Sequence, residues 1–161
     1  MARRTRSSVT PKSFAAQPAA EPDVDVKIYV RATYSYEDKA GGWGAVIVNE
    51  GGEQELSATE QHTTENQLLL NASIRVLESF ETPIKAAVYT DSEYLQKGMS
   101  QWIKGWIKKG WKTASGQPVK NQELWERLQQ AAQKHQIVWF FSPASQSFMQ
   151  RAFELAKKSL G

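Results

Sequence analysis

Cysteine is absent from the 161 residues, which excludes disulfides and thiolate metal sites and suits a reducing, intracellular compartment. Histidine is nearly absent. His62 and His135 lie far apart with no metal-ligand spacing, and both read as surface or turn residues. Long apolar runs are missing too: stretches such as WGAVIV fall well short of the roughly 20 residues that span a bilayer, so no membrane partner is expected. Acid is missing from one stretch of the chain. Between Glu93 and Glu123 stand Lys97, Lys104, Lys108, Lys109, Lys112 and Lys120, with no Asp or Glu among them. The net charge is only +3, so the distribution of charge, rather than its total, points to a polyanionic partner.

Large apolar residues are scarce in residues 1–23, which carry early Arg and then Ser, Ala and Pro. This reads as a flexible basic tail. An inert tail and an arm that touches phosphates are both open. The acid-free, Arg- and Ser-rich start also resembles an organelle transit peptide, but it lacks an apolar helical face. Cytoplasmic location is therefore the expectation, with organelle import as the alternative.

Residues 24–161 read as one domain, since a chain that is 40% hydrophobic with six Trp can bury a substantial core. VDVKIYVRAT alternates Val24, Val26, Ile28 and Val30, as a strand with one buried face does. GGWGAVIVNE reads as a second strand. A tight turn at Gly51–Gly52 returns the chain into a polar third strand at or near a sheet edge. The segment 63–80 has helical spacing at Leu69, Ala72, Ser73, Val76, Leu77 and Phe80, with Thr63 or Thr64 as the cap and Pro83 beyond its end. A strand IKAAVYT follows, then a helix from near Ser92, a short helix around SQWIKGW and a basic loop. The helix NQELWERLQQAAQK, the strand QIVWFF and the helix SFMQRAFELAKK complete the chain. The order is that of an α/β domain with a five-stranded mixed sheet.

These elements and the words GGWGA, HTTEN, YTDSEYL, QWIKGWIKKGWKTASGQPVKNQELWERL and HQIVW closely resemble bacterial type I ribonuclease H over roughly residues 24–158. Tyr89 to Leu128 is the most specific part, because Trp102, Trp106, Trp111 and Trp125 stand in the family's spacing. The resemblance implies the ribonuclease H-like fold with sheet order 3-2-1-4-5. It also implies a basic protrusion that grips an RNA–DNA hybrid, and cleavage of the RNA strand by two divalent metals held among four carboxylates beside a mobile histidine.

By that resemblance the carboxylate positions fall on Arg31, Leu69, Asp91 and Phe153, so only Asp91 retains a carboxylate. The histidine loop reads SPASQSFMQ and contains no histidine. Arg31 and Asp91 are expected to face each other from adjacent strands as an ion pair, and Leu69 and Phe153 to wall the former pocket with apolar surface. The resulting expectation is a chain that is not an enzyme and needs no cofactor, with Mg²⁺ required only if an active hybrid endoribonuclease with a relocated site holds instead. Nucleic acid, hybrid or duplex, is the expected partner. Its expected contacts are Lys97, Trp102, Lys104, Trp106, Lys108, Lys109, Trp111 and Lys112, with Thr64 and Asn66 at the start of the first helix. A solvated lysine face over core tryptophans is the plain alternative for the protrusion. A protein-interaction module using Leu69, Phe148 and Phe153 is the further alternative.

Overall fold

The computed structural model describes residues 22–160, so the expected tail, residues 1–23, lies outside the described residues apart from Pro22 and Asp23. Val26, Ile28, Val30 and Ala32 alternate along β1 (Val26–Ser35) and are all buried, which sends one face of that strand into the core. Val24 was expected to begin this pattern but precedes the strand and is only half-buried. β2 (Ala40–Asn49) runs antiparallel to β1, and β3 (Gly52–Glu60) turns back on β2 as a largely exposed edge. β4 (Lys85–Thr90) pairs parallel with β1, and β5 (Gln136–Phe141) pairs parallel with β4. The sheet order is β3-β2-β1-β4-β5, the ribonuclease H-like α/β arrangement that the resemblance implies.

Each face of the sheet is covered by a different helix. α1 (Glu65–Glu78) begins at Thr64, whose side chain accepts from the Gln67 amide at 3.2 Å. It buries Leu69, Ala72, Ser73, Val76 and Leu77 at the spacing read from the sequence. α5 (Ser147–Lys158) covers the opposite face, sinking Met149 and Ala152 against Tyr29 and Val46 and burying Ala156 over Gly42 and Gly44. This close approach explains Gly44: a Cβ there would overlap the Ala152 carbonyl.

Between β4 and β5 the chain forms α2 (Glu93–Lys97), a π-helical turn at Gly98–Trp102, α3 (Ile103–Lys108) and α4 (Gln122–Gln133). The separate short helix expected around residues 100–106 is instead the continuation of α2 through that wide turn. The physical reason is tertiary. The buried Trp125 ring presses on Gly98, where any Cβ would overlap it. Among the described residues, no helix is long and apolar enough to cross a membrane.

Candidate nucleic-acid interface

Val30 of β1 lies opposite Thr90 of β4, so the next residues, Arg31 and Asp91, meet at the carboxyl end of β4. Arg31 Nε lies 3.2 Å from Asp91 Oδ2, as the sequence predicts for this pair, and the two side chains are 12% and 32% exposed. Arg31 Nη1 also donates to the Met149 carbonyl at 3.4 Å, and the guanidinium carbon stands 4.6 Å from the centroid of the Phe153 ring. A guanidinium suits this setting, because its flat face packs on an aromatic ring while its edge meets oxygens.

The expected apolar wall does not form. Leu69 is 4% exposed and belongs to the main core under α1, because α1 turns this position toward the sheet. Phe148 packs on Tyr29 with ring centroids 4.9 Å apart, and Phe153 lies beneath both Arg31 and Lys157. None of the three is among the exposed large apolar residues, which are Tyr36, Trp102, Ile107 and Leu160. Leu69, Phe148 and Phe153 thus offer no continuous apolar face to a protein partner.

The donor chemistry at Arg31, Leu69, Asp91 and Phe153 does not fit a pair of divalent ions. Asp91 is the one carboxylate, and it is already paired. Among the described residues, no group of three or more His, Asp or Glu stands close enough to hold a metal ion. Two adjacent dications call for several anionic oxygens.

The lysine-bearing segment turns where α3 stops. Gly110 and Trp111 both take left-handed backbone, with φ of 70° and 64°, and the Trp111 amide donates to the Trp106 carbonyl at 2.6 Å. The loop then closes on itself through the Val119 amide, which donates to the Trp111 carbonyl at 3.1 Å. Lys104, Lys108, Lys109 and Lys112 are all exposed, and none forms an ion pair among the described residues. Lys97 differs: it pairs with Glu93 at 3.3 Å along α2.

The tryptophans divide in the same way. Trp102 is 38% exposed, whereas Trp125 is fully buried and Trp106 and Trp111 pack half-buried on the core. Trp106 lies 5.9 Å from Trp102, 6.0 Å from Trp111 and 5.2 Å from Trp125, centroid to centroid. Trp106 and Trp111, expected as contacts, are therefore half-buried packing residues that hold the lysine-bearing segment on the core.

A polar chain that sequence reasoning missed fixes this mounting to α1. Gln67 Nε2 donates to Asn121 Oδ1 at 3.0 Å, and both Asn121 Nδ2 and Trp125 Nε1 donate to the Tyr94 hydroxyl at 3.1 Å. The only sequence signal was Asn121 itself, at a helix start. It takes φ of 61°, which asparagine tolerates better than most residues. Thr64 and Asn66 are exposed at that same end of α1, and the Thr64 hydroxyl is occupied as the helix cap.

His62 is an exposed turn residue and His135 sits half-buried in the turn between α4 and β5, both as expected. Its Nδ1 accepts from the Ile84 amide at 3.1 Å, and its Nε2 lies 3.3 Å from the Leu77 carbonyl, so it ties α1 to the start of β4. Elsewhere on the body, Arg127 makes a two-pronged contact with Glu78 at 3.0 and 2.8 Å, and this hydrogen bonding holds the Glu78 carboxyl below its ordinary pKa. Arg151 bridges Glu53 and Glu55 of β3, and its own pKa is raised by those hydrogen bonds.

The RNase H family model matches residues 23–160. A protein named Ribonuclease H from Aromatoleum aromaticum is 43% identical over 137 residues, covering 84% of this chain and 90% of its own. Among solved structures, LC9-RNase H1, a type 1 RNase H with the type 2 active-site motif, is similar at a TM-score of 0.74 and 25% identity, over 88% of this chain and 74% of that one. LC11-RNase H1, solved in complex with RNA/DNA hybrid, shares the fold at a TM-score of 0.64 and 22% identity, over 83% of this chain and 95% of that one. The name of the Aromatoleum relative points to an enzyme. It overturns the expectation, drawn from Arg31, Leu69 and Phe153, that the chain is not one. The expectation of no cofactor falls with it, because the activity that the resemblance implies uses divalent metal.

Proposed function

The chain belongs to the ribonuclease H family, and from that premise we propose that it binds RNA–DNA hybrid, or a closely related duplex, through the lysine-rich protrusion. The observation that carries this reading is the group Lys104, Lys108, Lys109 and Lys112, exposed and without acidic partners, beside the exposed indole of Trp102. Each lysine that meets a phosphate releases a condensed counterion, and an indole face stacks on a base or sugar. Lys97, Thr64 and Asn66 are the further contacts in this reading. The hybrid in the complex of LC11-RNase H1 supports the same choice of ligand. A second reading, cleavage of the RNA strand of a hybrid, is favoured by the name that the Aromatoleum relative carries.

Titration of labelled hybrid, double-stranded RNA and double-stranded DNA across salt tests the first reading. Hybrid affinity is expected to fall with log salt by about 0.9 per phosphate contacted, and Lys108→Glu with Lys109→Glu to lower that slope by about 2. An unchanged slope and affinity in that variant overturn the reading. The same hybrid incubated with Mg²⁺ tests the second. Product that disappears in Asp91→Asn establishes it, and intact hybrid removes it.

A further inference from the structure

Charge is divided unevenly along this chain. Of its 20 Lys and Arg, four (Arg3, Arg4, Arg6 and Lys12) stand in the first 20 residues, and none of its 17 Asp and Glu does. Residues 1–20 therefore carry +4, while residues 21–161 hold 16 basic and 17 acidic residues, a net −1. The overall charge of +3 comes from the terminal segment and not from the body. A body close to neutral, with glutamates along β3, has little long-range pull on a polyanion, so the segment supplies attraction that the lysines alone do not.

The fold fixes the side of the body on which that charge enters. The Asp25 amide donates to the Lys85 carbonyl at 2.9 Å, so the chain comes in beside the start of β4. Asp23 and Asp25 line a cleft there together with Lys85 and Lys134, so the acids at the entry are matched by two lysines. Gln133 and His135 line this cleft and also the adjoining one, which Lys104 lines as well. The entry is thus one cleft away from the first of the unpaired lysines. The β3 margin lies at the opposite edge of the sheet, and its Glu53 and Glu55 already hold Arg151.

Reach does not limit the segment: the stretch from Arg3 to Asp23 spans at most about 70 Å, against roughly 40 Å for a body of this size. Charge density decides where its cations settle. A duplex carries one negative charge per about 1.7 Å of its axis, far denser than the scattered carboxylates of the body.

We infer that residues 1–20 act as a second nucleic-acid contact, an arm whose Arg3, Arg4, Arg6 and Lys12 meet phosphates beside those held by Lys104, Lys108, Lys109 and Lys112. The inference rests on the hybrid-binding reading and widens its footprint. Because the arm is tethered, its contacts form within an existing complex and add affinity without a second association. It touches phosphates and not base edges, so it strengthens binding without adding sequence preference. The competing account is that the arm neutralises the carboxylates of β3.

The experiment is a salt titration of labelled hybrid with the full chain and with a variant carrying Arg3→Gln, Arg4→Gln, Arg6→Gln and Lys12→Gln. Four phosphate contacts contribute about 3.6 to the salt slope, so the variant should lose about 2 to 3 of it. It should bind at least about tenfold more weakly at about 0.1 M salt, with the two curves converging as salt rises. A second variant, Arg3→Lys with Arg4→Lys and Arg6→Lys, should keep the wild-type slope. An unchanged slope in the glutamine variant overturns the inference. So does a lost slope in the lysine variant, since charge is then not what acts. A urea titration at low salt runs beside both, and its midpoint should not move. A lowered midpoint with an unchanged slope establishes instead that the arm serves the β3 acids. Failure of the hybrid-binding reading looks different: Lys108→Glu with Lys109→Glu then changes nothing, whatever the glutamine variant does.

Discussion

The cations of the protrusion and those of the body are kept in different ways. Lys104, Lys108, Lys109 and Lys112 stand exposed with no acid beside them, whereas Arg31, Arg127 and Arg151 each hold a carboxylate within 3.2 Å. A paired arginine contributes to folding and only weakly to the far field, while an unpaired lysine costs the fold little and adds fully to the attraction of a polyanion. The difference teaches that binding and stability are separable here by region.

The strongest way to break that separation is Trp125→Ala. Trp125 is fully buried, bonds Tyr94 and presses on Gly98, so its loss should lower unfolding free energy by about 3–5 kcal/mol in a urea titration. Hybrid affinity should fall with it, because the mounting of the lysines is lost. A large stability loss with unchanged affinity would show that the protrusion does not depend on its base. Trp102→Ala sharpens the comparison from the other side. This indole is 38% exposed, so its removal should cost about 1–3 kcal/mol of binding, if it stacks on a base, while leaving the urea midpoint and the salt slope unchanged.

The smallest expected effect belongs to Glu78→Gln on the body. Hydrogen bonding from Arg127 lowers the Glu78 pKa, so the pair stabilises the protein above the unfolded carboxylate pKa and loses that stabilisation as pH falls through the folded value. The variant should be less stable by about 0.5 kcal/mol at neutral pH, a figure reduced for solvent screening. The difference should shrink as pH falls below the unfolded glutamate pKa of about 4.3 and through the lowered folded value, and hybrid binding should not move.

The fold was legible wherever periodicity and punctuation agreed. β5 at 136–141 and α5 at 147–158 were read to the residue, and the burial of Leu69, Ala72, Ser73, Val76 and Leu77 followed from helical spacing alone. The π-helical turn was not legible, because the Trp125 ring that crowds Gly98 at its start comes from a later helix. Arg31 and Asp91 were paired correctly from strand adjacency, but Leu69, buried as its helical spacing predicts, does not line the pocket that the resemblance assigned it. Matching a site position by resemblance places a residue along the chain without saying which way its helix turns it. Gln67, Asn121, Tyr94 and Trp125 escaped notice for a related reason. Each is an ordinary residue, and only the folded chain brings the four together.

The exposed edge strand β3 has a consequence for encounter. Glu53, Glu55 and Glu60 line it, with Glu50 in the turn just before, and Arg151 offsets only part of that charge. β3 forms one margin of the sheet, while the lysines rise from the segment that packs along β5 at the other. Among the described residues, acid thus lines the β3 margin while unpaired lysine gathers beyond β4, an uneven distribution that would bias how a long anionic rod meets the surface.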